Sequence, residues 1–116
     1  MITVTFCGSG GRLTGFDMRG HSGYAARGSD IVCAAVTSAA LMTANTVTDV
    51  LHLNAKATDT DGHIHLRVAD ADAAGAQPLL QGLRLHIRAL AAEYPQNIQC
   101  QTQMITLSTR RCNNNA

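Results

Sequence analysis

The sequence predicts a small α+β domain, within the broad α/β class, in which two helices pack on one mixed β-sheet. Segments that alternate apolar and polar residues occur as two pairs, each joined by a glycine-containing turn, and one more lies near the end of the chain. Two longer segments carry apolar residues at helical spacing. The predicted order of elements, ββαββαβ, favours a single sheet with both helices packed on it.

The first predicted hairpin leads into a loop. Residues 2–6 alternate as a strand, a glycine-rich turn follows at residues 8–11, and residues 12–19 form the second strand. The turn lacks the Gly-Lys-Ser/Thr ending of a phosphate-binding loop, and no helix follows it directly. We therefore interpret it as a hairpin connection, with residues 20–29 as the loop that follows the second strand.

The middle of the chain predicts a helix and then a second hairpin. Apolar residues recur at helical spacing over residues 30–53, with small residues in the first half. The β-branched residues within 43–50 weaken the case for an unbroken helix. Residues 55–59 and 63–69 then alternate on either side of a turn that contains Asp-Gly, which is a strong hairpin signal.

The last third predicts a second helix and a final strand. The helix covers residues 72–94, with leucines and an isoleucine on one face, and Pro95 ends it. Residues 97–107 form the last strand. We expect one domain over residues 1–107, followed by a disordered tail at 108–116 that is rich in asparagine.

Composition limits the possible partners and locations. The chain has 116 residues and a formal net charge of +1, with no dense basic stripe, so direct binding to nucleic acid is not expected. No apolar run approaches the ~18 residues of a membrane span, and the first residues lack the features of a signal peptide. We therefore expect a cytoplasmic protein without a membrane partner.

A histidine and a cysteine twelve positions apart, His21 and Cys33, are the most informative pair of residues. Asp30 precedes the apolar periodic run as a helix cap does, so Cys33 lies in the first helical turn. The positive end of the helix dipole favours a thiolate there. A histidine supplied by the preceding loop can act as general base and acid. The pair is the minimum equipment of a cysteine protease or acyl-transfer enzyme.

Other residues near this pair have more than one interpretation. Asp30 either caps the helix by accepting the Cys33 backbone N–H or holds the second nitrogen of His21, and the spacing favours the cap. Backbone N–H groups around Cys33 and Ala34 are candidate donors to a developing oxyanion. Residues 22–29 form a candidate lid, which we predict to be mobile until substrate binds.

The histidines of the second hairpin raise the question of a metal site. His63 and His65 are two positions apart on a strand and therefore share a face. Two histidines supply half of a zinc site, but no other Cys or His has matching spacing. We interpret both as structural residues and predict neither a metal nor another cofactor.

Two motifs carry a family resemblance. Gly20-His21 is followed, after a glycine-containing loop, by Gly28-Ser29-Asp30-Ile31-Val32-Cys33-Ala34. This arrangement resembles the ribosomal-processing cysteine protease (Prp) family. Residues 61–67 and 93–98 resemble the family's second hairpin and the end of its second helix more weakly. The resemblance covers about residues 1–105, nearly the whole chain.

The resemblance implies a cytoplasmic bacterial protease that forms a homodimer. Its substrate is a large-subunit ribosomal protein made with a short N-terminal extension, which the enzyme removes after an aromatic residue. His21 and Cys33 would be the catalytic pair, and Asp30 would support them. The segment 25–27 departs from the family pattern, which leaves the substrate preference open. The residues assigned to substrate binding are Gly20, Ser22, Gly23, Gly28, Ala34 and Ser38.

Two other functions compete with proteolysis. A non-catalytic binding module of the same fold, such as a ribosome-assembly factor, has no need of a nucleophile at a helix start. A thiol-redox protein would be expected to carry a Cys-x-x-Cys motif, which this sequence lacks. Proteolysis is therefore the leading hypothesis, and the binding module is the alternative.

Overall fold

A five-stranded mixed sheet forms the centre of the computed structural model, which describes residues 1–21 and 30–105. The strands are β1 (Ile2–Ser9), β2 (Arg12–Arg19), β3 (Ala55–Thr60), β4 (His63–Val68) and β5 (Ile98–Ile105). Their order in the sheet is β3-β4-β2-β1-β5. Strands β1 and β5 run parallel, and the other neighbours are antiparallel.

Two helices connect these strands, so the predicted order of elements is confirmed. Helix α1 (Ile31–Asn45) comes after β2 in the chain, and helix α2 (Ala73–Glu93) joins β4 to β5 after a short 3₁₀ turn. Strand β1 extends three residues beyond its predicted end, to Ser9. The predicted tail at 108–116 lies outside the described residues.

The first helix does not keep α-helical geometry to its predicted end. From Thr46 to Val50 the chain forms a π-helical turn, and Leu51 donates its N–H to the Thr46 carbonyl at 2.8 Å. Threonine hydroxyls bond back to carbonyls four residues earlier, including Thr46 to Met42 at 2.7 Å. Such bonds compete with the regular backbone pattern, which accounts for the change in pitch where β-branched residues accumulate.

Both helices cover the same face of the sheet. Phe6, Phe16 and Leu66 lie side by side on three neighbouring strands, and each is fully buried. Val36 of α1 and Leu80 of α2 belong to the same core cluster. Because side chains alternate between the two faces of a strand, the residues between these core positions point to the face opposite the two helices.

Helix α2 is also fixed to the sheet by a polar contact. The Gln77 amide accepts the Leu13 backbone N–H at 3.0 Å and donates to the Leu13 carbonyl at 2.6 Å. Leu13 lies opposite Gly8, where the β1–β2 pairing shifts in register. The glutamine side chain therefore satisfies backbone groups beside this irregularity.

Helix α1 and the π-helical turn together form a longer apolar segment than the sequence predicts. Residues Ile31–Val50 form a helical stretch of 20 residues with mean hydropathy 1.5, which is long and apolar enough to cross a membrane by those measures. The sequence argument that no run approaches this length is therefore wrong. Val32, Val36 and Ala40 of this stretch are buried in the core, and helices packed on a sheet meet the same criteria.

Candidate active site

The cysteine lies in the first turn of helix α1. Asp30 is the N-cap residue, with extended backbone angles, and its side chain is almost completely buried. The Cys33 backbone N–H donates to Asp30 Oδ1 at 2.9 Å. This is the capping interaction that the spacing predicts, and it sets Cys33 near the positive end of the helix dipole.

His21 and Cys33 line the same open pocket, which has a volume of about 270 Å³. The side chain of His21 is exposed at the end of β2, and Cys33 is partly exposed. The structure therefore brings the predicted pair to one cavity between the start of α1 and the β3–β4 hairpin. The other lining residues are Met18, Gly20, Thr37, Asp59, Thr60, Asp61, Gly62, His63 and Ile64.

The turn of the β3–β4 hairpin forms the wall beside His21. The Gly20 N–H donates to the Gly62 carbonyl at 3.0 Å, which ties the end of β2 to this turn. Gly62 has φ +74°, and a Cβ there would lie 3.4 Å from His21 Nε2. A side chain at position 62 would thus strain the backbone and place its Cβ in van der Waals contact with the histidine.

Several predicted substrate-binding residues lie elsewhere. Ala34 and Ser38 are exposed and are not among the residues that line the pocket. Thr37 lines it instead, with its Oγ1 3.9 Å from Cys33 Sγ. The physical reason is helical spacing, since position i+4 lies above position i whereas position i+5 is rotated away. Ser22, Gly23 and Gly28, with the proposed lid, lie outside the described residues.

The predicted oxyanion donors are already engaged. The Cys33 N–H binds the Asp30 carboxylate, and the Ala34 N–H donates to the Asp30 carbonyl at 3.1 Å. Neither group is aimed at the pocket as a spare donor. The Cys33 N–H can stabilise an oxyanion only if its hydrogen bond to Asp30 breaks, because one N–H does not form two hydrogen bonds of full strength.

Asparagine and alanine at position 30 separate the two roles considered for Asp30. Asparagine caps a helix about as well as aspartate, whereas alanine loses the cap. We expect Asp30→Ala to lower the free energy of unfolding by about 1 kcal/mol, and Asp30→Asn to leave both stability and peptide cleavage close to normal. Urea denaturation and a cleavage assay measure the two quantities. Loss of cleavage in Asp30→Asn at unchanged stability would instead assign the carboxylate to holding His21.

A polar cluster lies next to the pocket, on the face of the sheet opposite the two helices. Asp17 Oδ1 lies 2.7 Å from His63 Nε2 and 3.1 Å from His65 Nδ1, and Arg19 Nε donates to Asp17 Oδ2 at 2.7 Å. Burial of the Asp17 carboxylate opposes ionisation, but hydrogen bonds from His65, His63 and Arg19 outweigh it. Together they hold the pKa of Asp17 well below its usual range.

The contribution of the second hairpin to the pocket went unrecognised at the sequence level. Asp59, Thr60 and Asp61 line the pocket although they are some thirty positions from Cys33 in the chain. The Asp-Gly turn predicts the hairpin itself. Its position beside His21 depends on the pairing of β2 with β4, which no local pattern encodes.

Comparison with known proteins gives one consistent family. A family model described as cysteine protease Prp matches residues 1–99. The ribosomal processing cysteine protease Prp of Staphylococcus aureus is 29% identical over 102 residues, which cover 85% of this chain and 96% of the relative.

Solved structures of Prp from S. aureus are similar in fold. One contains a covalently linked product peptide and has a TM-score of 0.80, and one contains a substrate peptide and has a TM-score of 0.75. Each is 28% identical, and the match covers 88% of this chain and 99% of the other. The family model spans most of the chain, and the fold agrees with it. The chain therefore belongs to the cysteine protease family Prp.

Proposed function

We propose that this enzyme removes the short N-terminal extension of a large-subunit ribosomal protein, cutting after an aromatic residue. Cys33 is the nucleophile and His21 the general acid and base. The observation that carries the proposal is the shared pocket, which is lined both by a thiol from a helix start and by a histidine that follows a strand end. The S. aureus relative supports the substrate class, since its name describes ribosomal processing.

The reaction proceeds in two steps. The Cys33 thiolate attacks the scissile carbonyl, and His21 protonates the leaving amine as the peptide bond breaks. A thioester between Cys33 and the extension remains. Water activated by His21 then attacks the thioester, which releases the carboxylic acid and restores the thiol. No cofactor takes part in either step.

The pocket is open on one side, as a peptide substrate requires. Its wall at residues 59–61 is exposed and belongs to the end of edge strand β3 and the turn after it. Met18 and Ile64 supply apolar surface, and Asp59 and Asp61 supply carboxylates. A pocket with both apolar and acidic groups is complementary to a substrate peptide that has an apolar side chain and basic residues beside it.

The proposal includes a cytoplasmic homodimer. Large apolar side chains are exposed on both helices, among them Met42 at 69% and Leu85 at 73%. Burial of these side chains against a second copy of the chain would remove exposed apolar area from water. Analytical ultracentrifugation of the full chain measures the mass. A dimer supports this part of the proposal, and a monomer at micromolar concentration contradicts it.

Cleavage of the proposed substrate tests the function directly. The probe is a synthetic peptide that contains the N-terminal segment of the large-subunit ribosomal protein from the same genome. We expect one cut, after an aromatic residue, with the wild-type enzyme and none with Cys33→Ala, as read by mass spectrometry. A matched peptide with alanine in place of that aromatic residue is expected to remain uncut.

Two results would contradict the proposal. Tight binding of the peptide without turnover by the folded wild-type chain would favour the non-catalytic binding module. Cleavage of the alanine-substituted peptide at the same bond would remove the aromatic preference while leaving the protease in place.

A further inference from the structure

We propose that Asp17, His63 and His65 form a binding site for a divalent transition-metal ion, for which Zn²⁺ is the probe. The three side chains lie on the face of the sheet that the helices leave uncovered. Their ligand atoms, one from each side chain, all lie within 4.8 Å of one another. Two imidazole nitrogens and a carboxylate oxygen are a donor set that zinc and its neighbours in the first transition series favour.

The strand register holds the three side chains together. Asp17 on β2 lies directly opposite His65 on β4, and His63 is two positions earlier on the same face. The two imidazole rings are edge-on, with centroids 6.3 Å apart. Both strands lie inside the sheet, so their backbones are held by hydrogen bonds on each side. The ligands are therefore positioned before any ion arrives.

The distances leave room for an ion after a small adjustment. Asp17 Oδ1 lies 2.7 Å from His63 Nε2 and 3.1 Å from His65 Nδ1. Bonds of about 2.0–2.2 Å around a tetrahedral zinc place its ligand atoms about 3.3–3.6 Å apart. The carboxylate therefore has to withdraw by roughly half an ångström, and the imidazole rings have to turn towards the ion.

The surroundings suit a site with three protein ligands and water in the fourth position. Side-chain exposure is 34% for His63 and 21% for His65, so solvent reaches the cluster from one side. Arg19 binds the other carboxylate oxygen at 2.7 Å, which leaves Oδ1 directed at the histidines. The Arg19 side chain is 58% exposed, so water and salt screen its repulsion of a cation.

The site adjoins the catalytic pocket but does not depend on proteolysis. His63 is the first residue of β4 and also lines the pocket, directly after the turn whose Gly62 carbonyl accepts the Gly20 N–H. A bound ion would hold β2 and β4 together at that edge. Metal binding is therefore separable from cleavage and can be measured in an inactive enzyme.

Calorimetric titration of Zn²⁺ into full-length Cys33→Ala, purified without a histidine tag, tests the proposal. The Cys33→Ala background removes the thiol of the pocket as a competing ligand. We expect saturable binding of one ion per chain. His63→Gln and His65→Gln should each weaken binding at least about a hundredfold. Loss of a residue that only hydrogen-bonds to a metal ligand already lowers metal affinity by roughly 10- to 100-fold. His86→Gln, an exposed histidine on α2, is the matched control and should bind as before.

Cobalt supplies a second readout that activity does not influence. Co²⁺ bound to a site with two nitrogens and one oxygen should give visible absorption bands, and these should disappear in His65→Gln. Absence of saturable binding in the folded Cys33→Ala chain would overturn the proposal. Binding that survives His63→Gln and His65→Gln, or that is lost in His86→Gln, would overturn it as well.

Discussion

Replacement of Cys33 by alanine is expected to abolish peptide cleavage and leave the fold intact. The substitution removes the sulfur atom that the proposal assigns to the thioester, and loss of a catalytic nucleophile lowers turnover by about 10⁴-fold or more. Cys33 is only partly buried, and alanine is a strong helix former, so helix α1 should still begin at Ile31. Initial cleavage rates and circular dichroism measure the two properties.

Cys100 provides a matched control. It is also a partly buried free cysteine, on β5, outside the residues that line the pocket. Burial raises the pKa of its thiol, and the nearby Arg88 and Arg84 only partly oppose this effect. Cys100→Ala should therefore cleave normally. Near-normal cleavage by Cys33→Ala, or a loss in Cys100→Ala as large as that in Cys33→Ala, would show that the nucleophile has been assigned wrongly.

Replacement of Phe16 by alanine is expected to lower the free energy of unfolding by about 3–5 kcal/mol. Phe16 has no exposed surface and lies on β2, between β1 and β4. Its ring centroid lies 6.0 Å from that of Phe6 in a tilted arrangement. Phe6 and Phe16 are the two phenylalanines of the chain, and both side chains are fully buried. Loss of the ring leaves a cavity as well as removing buried apolar surface.

Urea denaturation measures this effect as a lower transition midpoint at a nearly unchanged slope. Lys56→Ala is a surface control, because Lys56 is exposed on edge strand β3. Surface substitutions of this kind usually change stability by less than about 0.5 kcal/mol. A loss below about 1 kcal/mol for Phe16→Ala would mean that the core closes around the missing ring at little cost.

Local patterns were sufficient to predict the elements of this fold. The Asp61-Gly62 turn predicts the second hairpin, and the end of α2 at Glu93 agrees with the position of Pro95. The β-branched residues that weaken the pattern of the first helix correspond to the π-helical turn from Thr46. These features depend on neighbours within a few positions, which a single sequence contains.

Contacts between strands that are far apart in the chain could not be predicted from local patterns. The parallel pairing of β1 with β5 joins residues almost a hundred positions apart. Asp17 is likewise distant in the chain from His63 and His65, and strand pairing brings the three proposed ligands together. A search for a third Cys or His at fixed spacing overlooks a carboxylate that strand pairing supplies.

In the candidate site, too, some features follow from local sequence and others from the three-dimensional arrangement. The cap at Asp30 and the place of Cys33 in the first turn are local, and the spacing predicts both. Thr37 rather than Ser38 lies beside Cys33, because a shift of one residue along a helix turns the side chain to a different face. The engagement of the Cys33 and Ala34 N–H groups depends on bonds that Asp30 makes with both its side chain and its carbonyl.

The hydrogen bond between Gly20 and Gly62 has a consequence for how length can vary among homologues and in engineered variants. It joins the end of β2 to the β3–β4 turn, so an insertion between Asp61 and His63 would displace His21. The β1–β2 turn at residues 10–11 lies at the other end of β2 and makes no contact with the pocket. Loop extensions and reporter fusions should therefore be tolerated at residues 10–11 and excluded from residues 61–63.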